Sequence, residues 1–169
     1  MSTEEVENLI RYPARPPLTT RSWSVLRDFS VGRMQAKDVP DSDRLRWGAV
    51  AVEAARRKHS EGGIDRAAAL AEEAISRSYL IRTFGPGEVG SVRDPGELFR
   101  RVIDVLGERS REELSAAARS WRELPGPEIL ALRRIKNLLN PLTAVVDTLE
   151  SEEERDELEK WLALIPVLP

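Results

Sequence analysis

The sequence has no cysteine and only one histidine in 169 residues. Without cysteine there is no disulfide, no thiolate metal ligand and no cysteine nucleophile, as suits a reducing compartment. A single imidazole also leaves no second histidine for the usual zinc ligand sets. The sequence therefore predicts no metal site and no bound cofactor.

Long apolar runs are missing as well. The N-terminal stretch MSTEEVENLI carries acids where a signal peptide carries bases, and no uninterrupted apolar run approaches the roughly 20 residues of a membrane span. We therefore expect a cytoplasmic protein without a membrane partner. A net charge of −3 gives no general attraction to nucleic acid or to anionic lipid.

Lysine is scarce, so that nearly all of the positive charge is arginine. The lysines are Lys37, Lys58, Lys136 and Lys160. Arginine is a frequent phosphate ligand, but here arginine and alanine are abundant throughout the chain, a composition typical of GC-rich genomes. We therefore expect a bacterial source.

Strict alternation of apolar and polar residues, the pattern of a half-buried strand, is not found, whereas apolar residues recur at helical spacing along most of the chain. The sequence therefore predicts an all-α fold, a compact multi-helix bundle of about six to eight helices. The predicted segments are residues 4–10, Thr20 to Gly32, Asp41 or Ser42 to Gly62, Asp65 to Thr83, Asp94 to Gly107, Ser110 to Leu124, 127–149 and Ser151 to Ile165.

The length of the chain favours one domain. A chain of this size buries roughly 68–70% of the surface that its unfolded form exposes, which is enough for a core. Residues 1–20 are expected to form an N-terminal arm, in which Pro13, Pro16 and Pro17 predict an extended connector. Residues 21–169 are then predicted to form a single all-α domain.

The stretch RTFGPGEVGSV contains Gly85-x-Gly87-x-x-Gly90, the spacing of a dinucleotide-binding loop. That motif needs a strand before it and a helix that opens inside it, so that the helix N-terminus faces the pyrophosphate. Here a predicted helix precedes the glycines, Glu88 places a carboxylate where phosphate would lie, and the next helix begins only after Asp94. The sequence therefore predicts a long, mobile interhelix loop without a nucleotide.

The region from Pro127 onward has three adjacent heptad rows of apolar residues, which give one wide apolar face. We predict this face to be the main interaction surface, formed by Leu132, Ile135, Leu138, Leu139, Leu142, Val145, Val146 and Leu149. Pro141 predicts a kink in this run, or two helices that meet near Asn140. With the acidic helix that begins at Ser151, the region predicts a C-terminal helical hairpin. Its apolar face is covered either by upstream helices or by a second copy in a homodimer.

The segment IKNLLNPLTAVVDTLE, Ile135 to Glu150, resembles the first dimerisation helix of sensor histidine kinases, in which a Pro-Leu-Thr-Ala run and an apolar continuation follow the phosphoacceptor. The position of the phosphorylated histidine, five residues before Pro141, is occupied by Lys136. Lysine does not replace histidine in that phosphotransfer. The resemblance therefore implies only a kinked bundle helix that could pair with a copy of itself.

Two short runs of basic residues are candidates for nucleic-acid binding. They are Arg56, Arg57, Lys58 and His59, and Arg133, Arg134 and Lys136. The first run lies in the last turn of a predicted helix, where positive charge complements the helix dipole, and we expect His59 to be a surface or capping residue. The second run follows the turn ELPGPE, whose two prolines fit a helix-turn-helix poorly.

Catalytic patterns are few, since neither a Gly-x-Ser-x-Gly elbow nor a paired-histidine motif occurs. We interpret the protein as a non-enzymatic helical module for protein–protein interaction, an adaptor, regulator or assembly subunit of a bacterial cytoplasmic system. The first alternative is a nucleic-acid-binding regulator that uses the two basic runs. The second is a small all-α enzyme whose carboxylates and arginines are dispersed in the sequence but gathered in space.

Overall fold

The computed structural model describes residues 2–12, 18–62 and 66–169, without the side chains of residues 60–62. In these residues the regular structure is helical and no β-strand occurs, so the predicted all-α fold is confirmed. The α-helices are α1 (Thr3–Arg11), α2 (Thr20–Gln35), α3 (Asp41–Gly62), α4 (Arg66–Phe84), α5 (Pro95–Leu106), α6 (Arg111–Arg119), α7 (Gly126–Leu139) and α8 (Glu152–Leu162). Short 3₁₀ helices lie at Trp121–Glu123, Asn140–Ala144 and Val146–Thr148. The predicted proline-rich connector, with Pro13, Pro16 and Pro17, lies outside the described residues.

Several helix starts follow from capping residues that the sequence analysis identified. Asp94, Ser110 and Ser151 each accept a hydrogen bond from the backbone N–H of the third helical residue of α5, α6 and α8. Ser110 also forms a capping box with Glu113. These predicted starts are confirmed.

The bounds of α2 differ from the prediction. Its N-cap is Thr19 rather than Thr20, and the helix continues through Gly32 to Gln35. A glycine inside a helix costs about 1 kcal/mol relative to alanine. Burial of a methionine side chain contributes about 1.5–3 kcal/mol, and Met34 in the last turn is buried. Packing therefore outweighs the helix-breaking tendency of the glycine.

The chain divides into two compact units, Met1–Asp65 (unit 1) and Arg66–Pro169 (unit 2). In unit 1, α1 and α2 both pack on α3. The buried apolar residues of unit 1 are Val6, Trp23, Leu26, Met34, Val39, Trp47, Val50, Ala51, Val52, Ala54 and Ala55. The spacing of Leu45, Ala49, Val52 and Ala55 predicts one inward face of α3, but Ala49 is exposed and Leu45 is half-buried. The buried face instead contains Trp47, which the prediction omitted.

Unit 2 is organised around α4, which packs against α5, α7 and the 3₁₀ helix Asn140–Ala144. One apolar core extends from α4 to the turns after α8, where Leu164 and Leu168 are buried. The region predicted as a C-terminal hairpin is interrupted at Pro141. There α7 ends at Leu139, because proline lacks the N–H that would continue the helix and clashes with the preceding turn. Helix α8 packs on α5 and on the two 3₁₀ helices that follow α7.

The boundary between the units falls between Asp65 and Arg66, whereas the sequence places a boundary near residue 20. A unit is defined by packing, but a domain is a unit of cooperative unfolding. The single domain over residues 21–169 therefore stays a prediction. None of the helices in the described parts of the chain is both long and apolar enough to cross a membrane.

Candidate docking groove

Helix α2 has apolar residues on two faces. Trp23, Leu26 and Met34 are buried in unit 1. On another face, Val25 is 63% exposed and Phe29 is 45% exposed. Single exposed apolar side chains are ordinary, but these two lie one turn apart and belong to one concave surface.

A groove with a volume of about 480 Å³ lies between α1 and this second face of α2. Its lining residues are Val6, Leu9, Leu18, Arg21, Ser22, Val25, Leu26 and Phe29. Because α1 and α2 both pack on α3, α3 sets the spacing between the two walls. The volume falls within the range of about 300–1,000 Å³ that is typical of ligand-binding sites.

The wall formed by α1 is fixed to α3 by a pair of hydrogen bonds. Arg46 donates from Nε to Oε1 of Glu7 at 2.9 Å and from Nη2 to Oε2 at 2.7 Å. These bonds are the main reason that the pKa of Glu7 lies below its ordinary value. Val6, on the same helix, is buried. The wall is therefore part of the fold of unit 1 and needs no occupant to form.

The groove offers apolar surface and one positive charge. Arg21 is exposed and lies one turn before Val25 on α2. The hydroxyl of Ser22 lies 3.0 Å from Oγ1 of Thr19 in the helix cap. None of the described lining residues carries a carboxylate or an imidazole, so they supply no acid–base pair. This lining suits a binding partner whose surface is apolar and carries a negative charge that pairs with Arg21.

The interaction surface predicted from the heptad rows lies in the core of unit 2. All of its residues except the half-buried Val146 are buried: Leu132, Ile135, Leu138, Leu139, Leu142, Val145 and Leu149. Of the two alternatives for covering this face, the upstream helices of the same chain provide the cover, with α4 packed on α7. The face is thus not accessible to a partner in this structure. The homodimer stays a prediction, and its two copies would have to meet at a surface other than this buried face.

The first basic run lies at the end of α3 in unit 1. Arg57 donates to Oε1 of Glu53 at 2.8 Å and lies 5.4 Å from the ring centroid of Trp23. His59 lies in the last turn of α3, as predicted. Its side chain is only 9% exposed, so the expected surface position is wrong. Arg56 is exposed.

The second basic run lies on α7 in unit 2. Lys136 donates from Nζ to the backbone carbonyl of Leu168 at 2.8 Å, which connects α7 to the C-terminal turns. Arg134 is half-buried and Arg133 is exposed. The run is therefore only partly a surface feature, and it belongs to a different unit from the first run.

Unit 2 contains a buried ionic cluster that the sequence analysis did not identify. Arg77 on α4 is 0% exposed. It donates to Glu73 at 3.1 Å and to both carboxylate oxygens of Glu97 at 3.3 and 3.1 Å. It also donates to the carbonyls of Ser91 at 3.0 Å and Val92 at 3.2 Å. All five guanidinium N–H groups thus have acceptors. Since none is left for a ligand, we assign this cluster a structural role.

The glycine-rich loop between α4 and α5 is held by many hydrogen bonds. Arg93 donates from Nη1 to two carbonyls at the start of the loop, at 2.9 and 3.0 Å. The N–H of Gly90 donates to Oδ2 of Asp94 at 2.8 Å. Gly85 and Gly90 both have a φ of 80°, which favours glycine. The loop therefore has a bonded conformation, and backbone shape explains Gly85 and Gly90, while its mobility stays a prediction.

In the described parts of the chain, no group of three or more histidine, aspartate or glutamate side chains is placed to hold a metal ion. Among the described residues, the groove between α1 and α2 is a concave surface that is mainly apolar. Comparison of the chain with protein-family models, with curated proteins and with solved structures gives no match.

Proposed function

We propose that the protein is a non-enzymatic helical module for protein–protein interaction and that its partner binds in the groove of unit 1. The exposure of Val25 and Phe29 inside an otherwise apolar groove is the observation that carries this proposal. Full burial of such a side chain contributes about 1.5–3 kcal/mol, and Val25 and Phe29 add only the share that is still exposed. Two of them at the centre of a contact have the character of a small interface hot spot.

The basic runs give the nucleic-acid alternative less support. Arg57 and Lys136 are both engaged inside the fold, one with Glu53 and the other with a backbone carbonyl. A basic surface that binds phosphates needs its cations free to replace counterions along the nucleic acid. We therefore keep protein binding as the first interpretation.

The test places a photo-crosslinking amino acid at position 25, inside the groove, in the cells that make the protein. The matched control carries the same amino acid at position 89, because Val89 is 91% exposed and lies in the loop of unit 2. We expect position 25 to form a covalent adduct with one protein that position 89 does not capture. That protein is identified by mass spectrometry and purified.

The second step measures the affinity of the purified partner by titration calorimetry. We expect Val25→Glu to weaken binding by at least about tenfold, because a carboxylate then enters an apolar contact. Val89→Glu should leave the affinity unchanged. Both changes lie at exposed positions, so each should alter stability by no more than about 0.5 kcal/mol. Equal affinities for the two variants would refute the groove as the binding site.

A further inference from the structure

The groove also restricts the kind of occupant, an inference that rests on the proposed function. The wall formed by α2 presents a stripe of Val25 and Phe29, one turn apart, and Leu18 lines the groove just before the helix begins. At about 1.5 Å per residue the helical wall from Arg21 to Phe29 extends over about 12 Å, or a little more than two helical turns. We propose that the occupant is an amphipathic α-helix of a partner protein, with acidic side chains along the edge that lies against α2.

The shape of the groove favours a helix over an extended segment. Both walls are α-helices, whose backbone groups are bonded within the helix, so an added strand finds no sheet edge to join. Polyproline segments bind between aromatic rings, and Phe29 is the sole aromatic side chain among the described lining residues. A helix with apolar residues at i, i+3 or i+4, and i+7 matches a stripe of this length and spacing.

The charges at the groove set the chemistry of the occupant. Arg21 lies at one end of the stripe, and Arg33 lies one turn beyond Phe29 at the other. Both side chains are exposed, and neither forms an ion pair with the described residues. Arginine binds carboxylates through a fork of two hydrogen bonds. The lining residues from α1, Val6 and Leu9, carry no charge, so an acidic edge fits against α2.

The same charges make a second copy of this chain a poor occupant. Two α2 stripes paired antiparallel about a two-fold axis place Arg21 of each copy near Arg33 of the other. A parallel pairing places Arg21 opposite Arg21. In both arrangements like charges face each other at the ends of the stripe, which disfavours association.

The experiment uses two synthetic peptides about three to four helical turns long. They share the same apolar positions and carry either glutamate or lysine along one edge. Fluorescence anisotropy measures their binding to the full chain. We expect the glutamate peptide to bind at least about tenfold more tightly than the lysine peptide. Val25→Glu should abolish binding of both, and Arg21→Glu should remove the preference for glutamate.

The control for the charge change is Arg109→Glu, at an exposed arginine of unit 2, which should leave the preference intact. A preference that survives Arg21→Glu would overturn the role of this arginine. Equal binding of both peptides, lost on Val25→Glu, would overturn the acidic edge but not the proposed function.

Failure of both peptides to bind would overturn the helical occupant, while the proposed function is decided separately by the crosslinked partner. Light scattering on the chain without peptide measures whether the chain forms a dimer. A dimer that dissociates on Val25→Glu would make a second copy the occupant and would overturn the inference.

Discussion

Arg77 and Glu73 form a buried ion pair on consecutive turns of α4. Arg101 also donates to Glu73, and Glu97 completes the cluster from α5. Moving a charge out of water costs several kcal/mol, and opposite charges offset this cost only while the partners are present. The cluster is therefore sensitive to the loss of one member.

Replacing Arg77 with methionine should lower the free energy of unfolding by about 3–5 kcal/mol, because Glu73, Glu97 and two loop carbonyls each lose a buried donor. The matched control is Arg66→Met. Arg66 pairs with Asp104 and Glu108 at the exposed surface, and loss of such pairs costs about 1 kcal/mol or less. Urea unfolding followed by circular dichroism measures both, and equal small losses would contradict the structural role of Arg77.

Asp94, the N-cap of α5, gives a pH-dependent contribution to stability. Its burial acts to raise the pKa, but hydrogen bonds from the backbone N–H groups of Gly90, Glu97 and Gly96 outweigh burial and hold the pKa below the ordinary value of 3.8. The contribution is therefore fully present above pH 3.8 and is lost as the pH falls from 3.8 towards the lower pKa of the folded state.

Asp94→Asn should remove this dependence, since asparagine also caps helices but carries no charge. We expect the urea midpoint of the unchanged protein to fall more steeply with acidification below pH 3.8 than the midpoint of the variant. Parallel profiles for the two proteins would show that the carboxylate of Asp94 does not contribute.

At the scale of the helices, starts are easier to predict from sequence than buried faces. The caps of α5, α6 and α8 depend on residues within one turn, so local sequence contains the information. A buried face depends on what packs against it. Val25 and Phe29 on α2 are exposed, whereas the apolar stripe of α7 is buried by α4. Periodicity identified the α7 stripe but did not show that the same chain covers it.

Leu142→Ala tests the corrected position of the α7 region. Leu142 is buried in the 3₁₀ helix that packs on α4. The change should lower the free energy of unfolding by about 2–5 kcal/mol, and the midpoint should not depend on protein concentration, because the side chain is covered by its own chain. Leu130→Ala, at an exposed position of α7, is the matched control and should cost about 0.5 kcal/mol or less.

Urea unfolding at two widely separated protein concentrations measures both variants. A midpoint that rises with concentration in the unchanged protein but not in Leu142→Ala would instead place this residue in a contact between two copies.

For the whole molecule, the four tryptophans allow the single-domain prediction to be tested. Trp23 and Trp47 lie in unit 1, and Trp121 and Trp161 lie in unit 2. When both tryptophans of one unit are replaced with phenylalanine, the remaining tryptophan fluorescence reports on the unfolding of the other unit. A single domain unfolds in one transition, so each fluorescence curve should coincide with the far-UV circular dichroism of the same variant. Curves that separate would make the two units independent domains.

The all-α fold was accessible from the sequence, but the groove was not. The absence of cysteine and of paired histidines already directs attention away from metal and thiol chemistry. The groove, however, needs Val6 of α1 and Val25 of α2 on one surface, and α3 provides that surface only after folding. The five acceptors of Arg77 likewise come from three separate segments, of which only the Glu73 spacing on α4 is visible locally.

The two units differ in how far along the chain their contacts extend. In unit 1, α2 packs on α3, the next helix, whereas in unit 2, α4 packs on α7 with α5 and α6 between them. Closing a longer loop costs more chain entropy before any contact stabilises it. Folding also slows as contacts join more distant residues. Unit 1 is therefore expected to supply the earlier folding nucleus, so that the groove is complete while the second unit is still acquiring its structure.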